Sequence, residues 1–188
     1  MTNSIREIRD ADCVFITGSN TAESHPVISY EVIRAVRRGA HLVIVDPRRI
    51  PLAEHATLFL QIKPGTDIYV FLAIMHTIIR EGWADEHFIA DRTEGYDEFH
   101  AVLEEYTPEQ ASLMSGVPVE DIEAAARIYA MGERVSGTSI YADSAPQNNG
   151  RGHSSILYAM GITQRSNGTD MVMTLANLAM LCGQVGKP

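Results

Sequence analysis

The sequence CVFITGSN at residues 13–20 is a continuous apolar run that breaks into a turn, and HLVIVDPRR at residues 41–49 repeats the pattern. Apolar runs of this length are typical of strands buried on both faces of a sheet. Between them, apolar residues at helical spacing begin near Pro26 and end at Gly39. A strand, a helix and a second strand of this kind predict a parallel βαβ unit.

The rest of the chain continues the alternation of strands and helices. A third strand is predicted at residues 57–62, followed by a helix from Asp67 to about Glu81 with Thr66 as its N-cap. Further helices are predicted near residues 85–91, 96–106, 108–115 and 119–131, with a strand at 156–160, a polar loop at 161–168 and a helix at 169–182. The pattern predicts one α/β domain over residues 1–188, with an open, doubly wound, mostly parallel sheet and helices on both faces.

Residues 132–155 differ from the rest of the chain. They are rich in Gly, Ser, Asn and Pro, and they contain one short apolar piece at residues 139–142. Such composition over this length is typical of irregular structure, so we expect a long loop or flap here.

Composition excludes several classes of function. The net charge of −9 argues against nucleic acid as the main partner, and no apolar run approaches the length of a membrane span. The first twelve residues are polar, without the pattern of a signal peptide, so we expect a cytoplasmic protein. The two cysteines, Cys13 and Cys182, form no CxxC pair, and the histidines have no ligand spacing, so no metal site is expected.

In doubly wound sheets, ligands bind outside the carboxyl ends of the strands. Four polar loops are expected at that edge, at residues 17–24, 46–49, 65–67 and 160–164. The Gly18 turn leads towards a helix N-terminus and could bind a pyrophosphate through its backbone N–H groups. It is not a GxGxxG motif, however, and from this loop alone a simple βα turn explains the glycine better.

The polar side chains of these loops have competing interpretations, one as ligand-binding groups and one as ordinary structural groups. Asp46 follows the second strand and could bind ribose hydroxyls or the edge of guanine, or it could cap the turn beside Pro47. Arg48 could pair with phosphate or stack on a purine, or it could be solvated. Asp67 stands at a helix start, where a carboxylate is stabilised in any case. Gln164 suits a pterin or purine edge, but turns also favour such residues.

Taken together, these stretches resemble the molybdenum bis-guanine-dinucleotide oxidoreductases. Residues 15–26 (FITGSNTAESHP) are similar to the family's GxNxAExHP segment, residues 45–49 (VDPRR) to its DPR segment and residues 60–67 to its PGTD segment. Four further stretches resemble the formate dehydrogenase α subunits in particular. They are RTEGY at 92–96, YTPE at 106–109, MGITQ at 160–164 and LANLAML at 175–181. The likeness covers nearly the whole chain and keeps the order of the motifs.

The resemblance implies a Rossmann-like domain that holds one guanine-dinucleotide arm of a molybdenum bis(molybdopterin guanine dinucleotide) cofactor. The residues it would place at the cofactor are Gly18, Asn20 and Glu23. Those it would place at the guanosine end are Asp46, Arg48, Gly65 and Asp67. Those it would place towards the pterin are Met160 and Gln164.

Two features depart from the family pattern, and others have no counterpart. Arg165 stands where relatives usually have His, and residues 133–153 form a longer stretch than in relatives. The family's cysteine-rich iron–sulfur segment, its Cys or selenocysteine ligand with the following His, and its catalytic Arg have no match in this sequence. The resemblance therefore implies part of a larger enzyme, not competent for catalysis alone, with no catalytic or metal-binding residue of its own. Its implied partners are the remaining domains of the parent subunit and electron-transfer subunits.

Three hypotheses follow for the function. The first is a cofactor-binding part of a formate dehydrogenase-like oxidoreductase, with nitrate reductases as related possibilities. The second is a stand-alone guanine-nucleotide-binding module. The third is a folded remnant that self-associates through apolar surface.

Overall fold

The computed structural model describes residues 4–132 and 152–186. Within them, the strands are β1 (Cys13–Thr17), β2 (His41–Val45), β3 (Leu58–Leu60) and β4 (Ser154–Tyr158). They form one sheet in the order β3-β2-β1-β4, and all three pairings are parallel. The predicted parallel βαβ unit is therefore confirmed.

Helices connect and flank these strands. The α-helices in the described residues are α1 (Thr21–Ser24), α2 (Pro26–Arg37), α3 (Asp67–Arg80), α4 (Glu86–Arg92), α5 (Tyr96–Leu103), α6 (Pro108–Ser115), α7 (Val119–Met131), α8 (Met160–Thr163) and α9 (Gly168–Leu181). Two 3₁₀ helices, Ile5–Asp10 and Pro51–His55, complete the set. Helical spacing predicted the longer helices well, because their apolar faces repeat over several turns.

The sheet separates two apolar layers, because alternate strand residues point to opposite faces. One layer contains α3, α7 and α9, and its residues from β1 and β2 are Cys13, Phe15, Val43 and Val45. In this layer the ring of Phe15 meets the rings of Phe71 and Tyr129 edge-on, at 6.1 and 5.8 Å. The other layer contains α2 and the 3₁₀ helices, and its strand residues are Val14, Ile16, Leu42 and Ile44. The expected helices on both faces are thus confirmed.

Two segments differ from their predicted structure. Strand β4 begins at Ser154, inside the predicted loop, because Ser154 pairs with Cys13 and its hydroxyl donates to the Tyr129 carbonyl at 2.6 Å. Helix α8 begins at Met160, the last residue of the predicted strand, and continues into the predicted polar loop, because the N–H groups of Thr163 and Gln164 bond back to Ala159 and Met160. A four-residue helix is too short to show a helical period. The central part of the predicted loop, residues 133–151, lies outside the described residues.

Shorter elements were also placed inaccurately. Strand β3 spans three residues of the six predicted, because only those three pair with β2. Helix α1 and both 3₁₀ helices were not predicted. In the part of the chain that the structure describes, no helix is long and apolar enough to cross a membrane.

Candidate functional site

The carboxyl ends of the strands lie together at one edge of the sheet, because all pairings are parallel. Thr17 pairs with both Val45 and Tyr158, and Val45 also pairs with Leu60. The loops that follow these four residues are those that carry the predicted site residues. The fold therefore brings the four loops to a common edge, where ligands bind in sheets of this type.

Gly18 and Gly161 join two of these loops by direct backbone contact. Gly18 has a φ of 56°, and its carbonyl oxygen accepts a hydrogen bond from the Gly161 N–H at 3.1 Å. A Cβ on Gly18 would lie 2.8 Å from the Gly161 carbonyl carbon, and a Cβ on Gly161 would lie 2.6 Å from the Gly18 oxygen. Both glycines are therefore required by the packing of the protein itself.

Two buried side-chain oxygens near the end of β1 lack a hydrogen-bond partner within residues 4–132 and 152–186. They are Thr17 Oγ1 and Asn20 Oδ1. Their neighbours Ser19 and Thr21 share a buried hydroxyl–hydroxyl bond of 2.9 Å. An unsatisfied buried polar group costs about 1–3 kcal/mol, so both oxygens are suited to a donor from a ligand or water.

Asp46 lies directly after β2, with 8% of its surface exposed. Its Oδ1 accepts a hydrogen bond from the Arg48 backbone N–H at 2.9 Å, as the turn-capping interpretation predicts. Burial raises the pKa of the Asp46 carboxyl, and this is partly offset by the hydrogen bond from Arg48 and by the Arg48 charge. A partly desolvated carboxylate interacts strongly with any N–H donor that reaches it.

An open cavity of about 370 Å³ lies between the loops that follow β1 and β2. It is lined by Asn20, Glu23, Arg48, Arg49, Ile50, Pro51 and Glu54. Arg48 and Arg49 are both exposed, and the Arg49 guanidinium lies 5.4 Å from the centre of the Phe59 ring. The mixture of guanidinium, carboxylate and amide groups is suited to a polar ligand with an anionic part.

Asp67 is the first residue of α3, and it is fully buried. Arg165, between α8 and α9, donates from Nη1 to Asp67 Oδ2 at 2.5 Å and from Nη2 to Oδ1 at 3.5 Å. The Arg165 side chain is 24% exposed. Both oxygens of Asp67 are therefore engaged by a group of the protein.

The other predicted residues face solvent at the same edge. Gly65 is exposed and has a φ of 88°, and a Cβ added to it would have nothing within 4 Å. Met160 is 64% exposed, and Gln164 is also exposed. A wider hollow of about 600 Å³ lies between β3 and the α6–α7 turn, and its lining includes Lys63, Pro64 and Asp121.

Sequence reasoning missed two residues of this edge. Thr17 was not a candidate, although a hydroxyl at the end of an apolar strand was a usable signal. Arg165 stood out as a departure from the family pattern, but its pairing with Asp67 was not predicted. That partnership joins residues 98 positions apart and has no local sequence signature.

The curated proteins to which this chain is similar include formate dehydrogenases and nitrate reductases. The chain is 46% identical to the F420-dependent formate dehydrogenase 1 subunit alpha of Methanococcus maripaludis, over 100% of the chain and 25% of that protein. It is 38% identical to formate dehydrogenase H of Escherichia coli, over 100% of the chain and 24% of that protein. A nitrate reductase of Synechocystis is 30% identical, over 97% of the chain and 23% of that protein. The chain thus spans about a quarter of the length of these curated relatives.

A solved structure and a family profile agree with these relatives. Acetylene hydratase from Pelobacter acetylenicus superimposes with a TM-score of 0.77 at 22% identity, over 97% of this chain and 24% of that one, and supports the fold alone. The sequence profile described as "Molybdopterin oxidoreductase" matches residues 1–188. On this match over its whole length, the chain belongs to the molybdopterin oxidoreductase family.

Proposed function

We propose that this chain binds one guanine-dinucleotide arm of a molybdenum bis(molybdopterin guanine dinucleotide) cofactor, at the carboxyl edge of its sheet. The observation that carries the proposal is the unpartnered, buried Asn20 Oδ1, which belongs to a residue of the cavity that Arg48 also lines. A dinucleotide offers N–H or hydroxyl donors for the unpartnered amide oxygen and phosphate for the exposed guanidinium.

Asp46 is the residue that we assign to the guanine. One of its oxygens accepts the Arg48 N–H. A carboxylate has further lone pairs, so it can still accept the neighbouring N–H groups of a guanine edge, which adenine does not present in the same arrangement. Arg48 and Gly65 are proposed to lie at the same guanosine end, and Gly18 and Glu23 nearer the pyrophosphate.

The remaining candidates have indirect or more distant roles in this proposal. Asp67 contributes through Arg165, because its own oxygens are already engaged. Met160 and Gln164 follow β4 and are proposed to approach the pterin. When bound, the molybdenum cofactor supplies the redox chemistry, while the residues of this chain bind, orient and partly bury it.

For the whole protein, we propose oxidation of formate to carbon dioxide, with release of one proton and two electrons. Support comes from the names of the relatives, since four formate dehydrogenases are 38–46% identical to this chain. Two nitrate reductases are 30% and 33% identical, and a putative formate dehydrogenase is 30% identical. The electrons are proposed to leave through iron–sulfur centres and electron-transfer subunits. The designation of several relatives as "subunit alpha" supports the existence of further subunits.

The test is calorimetric titration of the chain with GDP, and with ADP as the competing nucleotide. We expect GDP to bind more tightly, and Asp46→Asn to remove the difference because the amide nitrogen repels an N–H donor. Asp91→Asn, which removes the same charge from an exposed position on α4, is the matched control and should bind like the unmodified chain. Equal binding of GDP and ADP, or a preference that persists in Asp46→Asn, would contradict the assignment.

A further inference from the structure

The Asp67–Arg165 ion pair connects two segments that follow opposite edges of the sheet. Asp67 begins α3, which follows β3, and Arg165 lies beyond α8, which follows β4. Strands β3 and β4 are the two outer strands, and between them lie β2 and β1. The ion pair therefore ties the two outer segments to each other around the loops that carry Asp46 and Gly18.

Burial makes this connection selective for a cation at residue 165. The Asp67 carboxylate is fully buried, and a buried carboxylate without a partner is strongly unfavourable. Arg165 meets it with two nitrogens, and a planar guanidinium supplies such a pair in a fixed geometry. The turn at residues 160–164 is therefore held at one end by this ion pair and at the other by the Gly161–Gly18 hydrogen bond.

The ion pair also acts on Asp46 through its charges. The charged groups that influence the Asp46 carboxyl are Arg48 in its own loop, Asp67 on α3 and Arg165 beyond α8. Burial raises the pKa of Asp46. The charges of Arg48 and Arg165 lower this pKa, and the charge of Asp67 raises it. Further charged residues near Arg48 are those that line the same cavity, Glu23, Arg49 and Glu54.

We propose that Arg165 is a positioning residue of the guanosine site, which holds the 160–164 turn through Asp67 and places a positive charge that acts on the carboxylate of Asp46. The role of Asp46 as the guanine acceptor rests on the function proposed above. The tie and the charge effect, in contrast, are properties of the chain without ligand, so they can be measured separately from nucleotide binding.

The two ends of the ion pair have opposite effects on Asp46. Arg165→Lys keeps both charges, so the pKa of Asp46 stays where it is. Asp67→Asn removes a negative charge and leaves Arg165, so the pKa of Asp46 falls. A merely structural role would disturb the site in both variants without lowering the pKa of Asp46 in Asp67→Asn alone.

The experiment is a pH titration of the Asp46 carboxyl carbon by NMR in the full chain and in two variants. We expect the midpoint to move to lower pH in Asp67→Asn and to stay close to that of the unmodified chain in Arg165→Lys, which keeps the charge. A midpoint that does not fall in Asp67→Asn would overturn the charge effect. If Asp67→Asn does not fold, a midpoint that moves in Arg165→Lys still overturns it.

Hydrogen exchange tests the tie, and GDP titration of the same samples separates the two proposals. The backbone N–H groups of Ile162, Thr163 and Gln164, which bond within the turn, should exchange faster in Arg165→Gln, on the order of tenfold, while those in the middle of α3 are unchanged. Unchanged exchange in the turn would overturn the tie. Absence of GDP preference in the unmodified chain, with the expected NMR shifts, would contradict only the proposed function.

Discussion

The carbonyl oxygen of Gly18 accepts a hydrogen bond from the N–H of Gly161 at 3.1 Å, and the two backbones touch with no room for a side chain. This contact joins the loop after β1 to α8, and it explains why glycine stands at both positions. Gly18 additionally has a φ of 56°, whereas Gly161 does not have a positive φ. The requirement for glycine at residue 161 is therefore one of space alone.

Gly161→Ala should lower the free energy of unfolding by about 1–3 kcal/mol, the usual effect of inserting a methyl group where no space exists. The added Cβ would meet the Gly18 oxygen at 2.6 Å and its Cα at 2.7 Å. Urea unfolding followed by circular dichroism measures the change. Gly82→Ala is the control: it has open space but a φ of 69°, so only the backbone conformation costs energy, about 1–2 kcal/mol. A Gly161→Ala chain as stable as the unmodified one would mean that the two loops can separate.

Asp46 should reduce the stability of the fold at neutral pH. Burial raises its pKa in the folded chain above the unfolded value of about 3.9, so the folded chain binds the proton more tightly. Tighter proton binding by the folded chain stabilises the fold. This stabilisation is fully present below the unfolded pKa of Asp46 and is lost as the pH rises through its folded pKa.

Asp46→Asn is therefore expected to keep or raise the free energy of unfolding at neutral pH, even though it is also expected to abolish the proposed preference for GDP. The gain should shrink as the pH is lowered, because the carboxyl becomes neutral in both states. Urea unfolding at several pH values measures it, with Asp91→Asn as the exposed control. A clear loss of stability at neutral pH would show that Asp46 serves the fold rather than a ligand.

Cys13 should be unreactive in the folded chain. It is fully buried in β1, and burial raises the pKa of its thiol to about 12. Since the thiolate is the reactive form, iodoacetamide should label Cys13 in a Cys182→Ser chain only after unfolding by urea. Labelling under native conditions at the rate of a small free thiol would contradict the placement of β1 in the centre of the sheet.

Thr107 should contribute to stability as a helix cap, and Thr66 should not. Thr107 Oγ1 accepts the Gln110 N–H at 3.4 Å at the start of α6, whereas the Thr66 hydroxyl donates to the Lys63 carbonyl at 2.7 Å. Thr107→Ala should lower the free energy of unfolding by about 1 kcal/mol. For Thr66→Ala we expect a change in the 63–66 turn with little effect on α3. Equal losses in both variants, measured by urea unfolding, would show that position rather than hydrogen bonding determines the effect.

Local sequence patterns were sufficient for the central strands and the longer helices. Residues 13–17 and 41–45 are apolar with few interruptions, and only strands covered on both faces bury such runs completely. The same patterns placed Asp46 and Gly18 at the carboxyl edge, because a parallel arrangement leaves no other position for the loops that follow the strands.

The start of β4, the helix at residues 160–163 and the partner of Asp67 were decided by the tertiary structure. Ser154 becomes part of a strand because it pairs with Cys13 on the neighbouring parallel strand. The free energy of this pairing cannot be read from the local sequence. Asp67 looks like an ordinary residue at a helix start, until folding buries it and brings Arg165 to it from 98 positions away. Local patterns indicate period and turn chemistry, whereas burial and charge pairing arise only when distant segments meet, and these two effects determine what the carboxyl edge can bind.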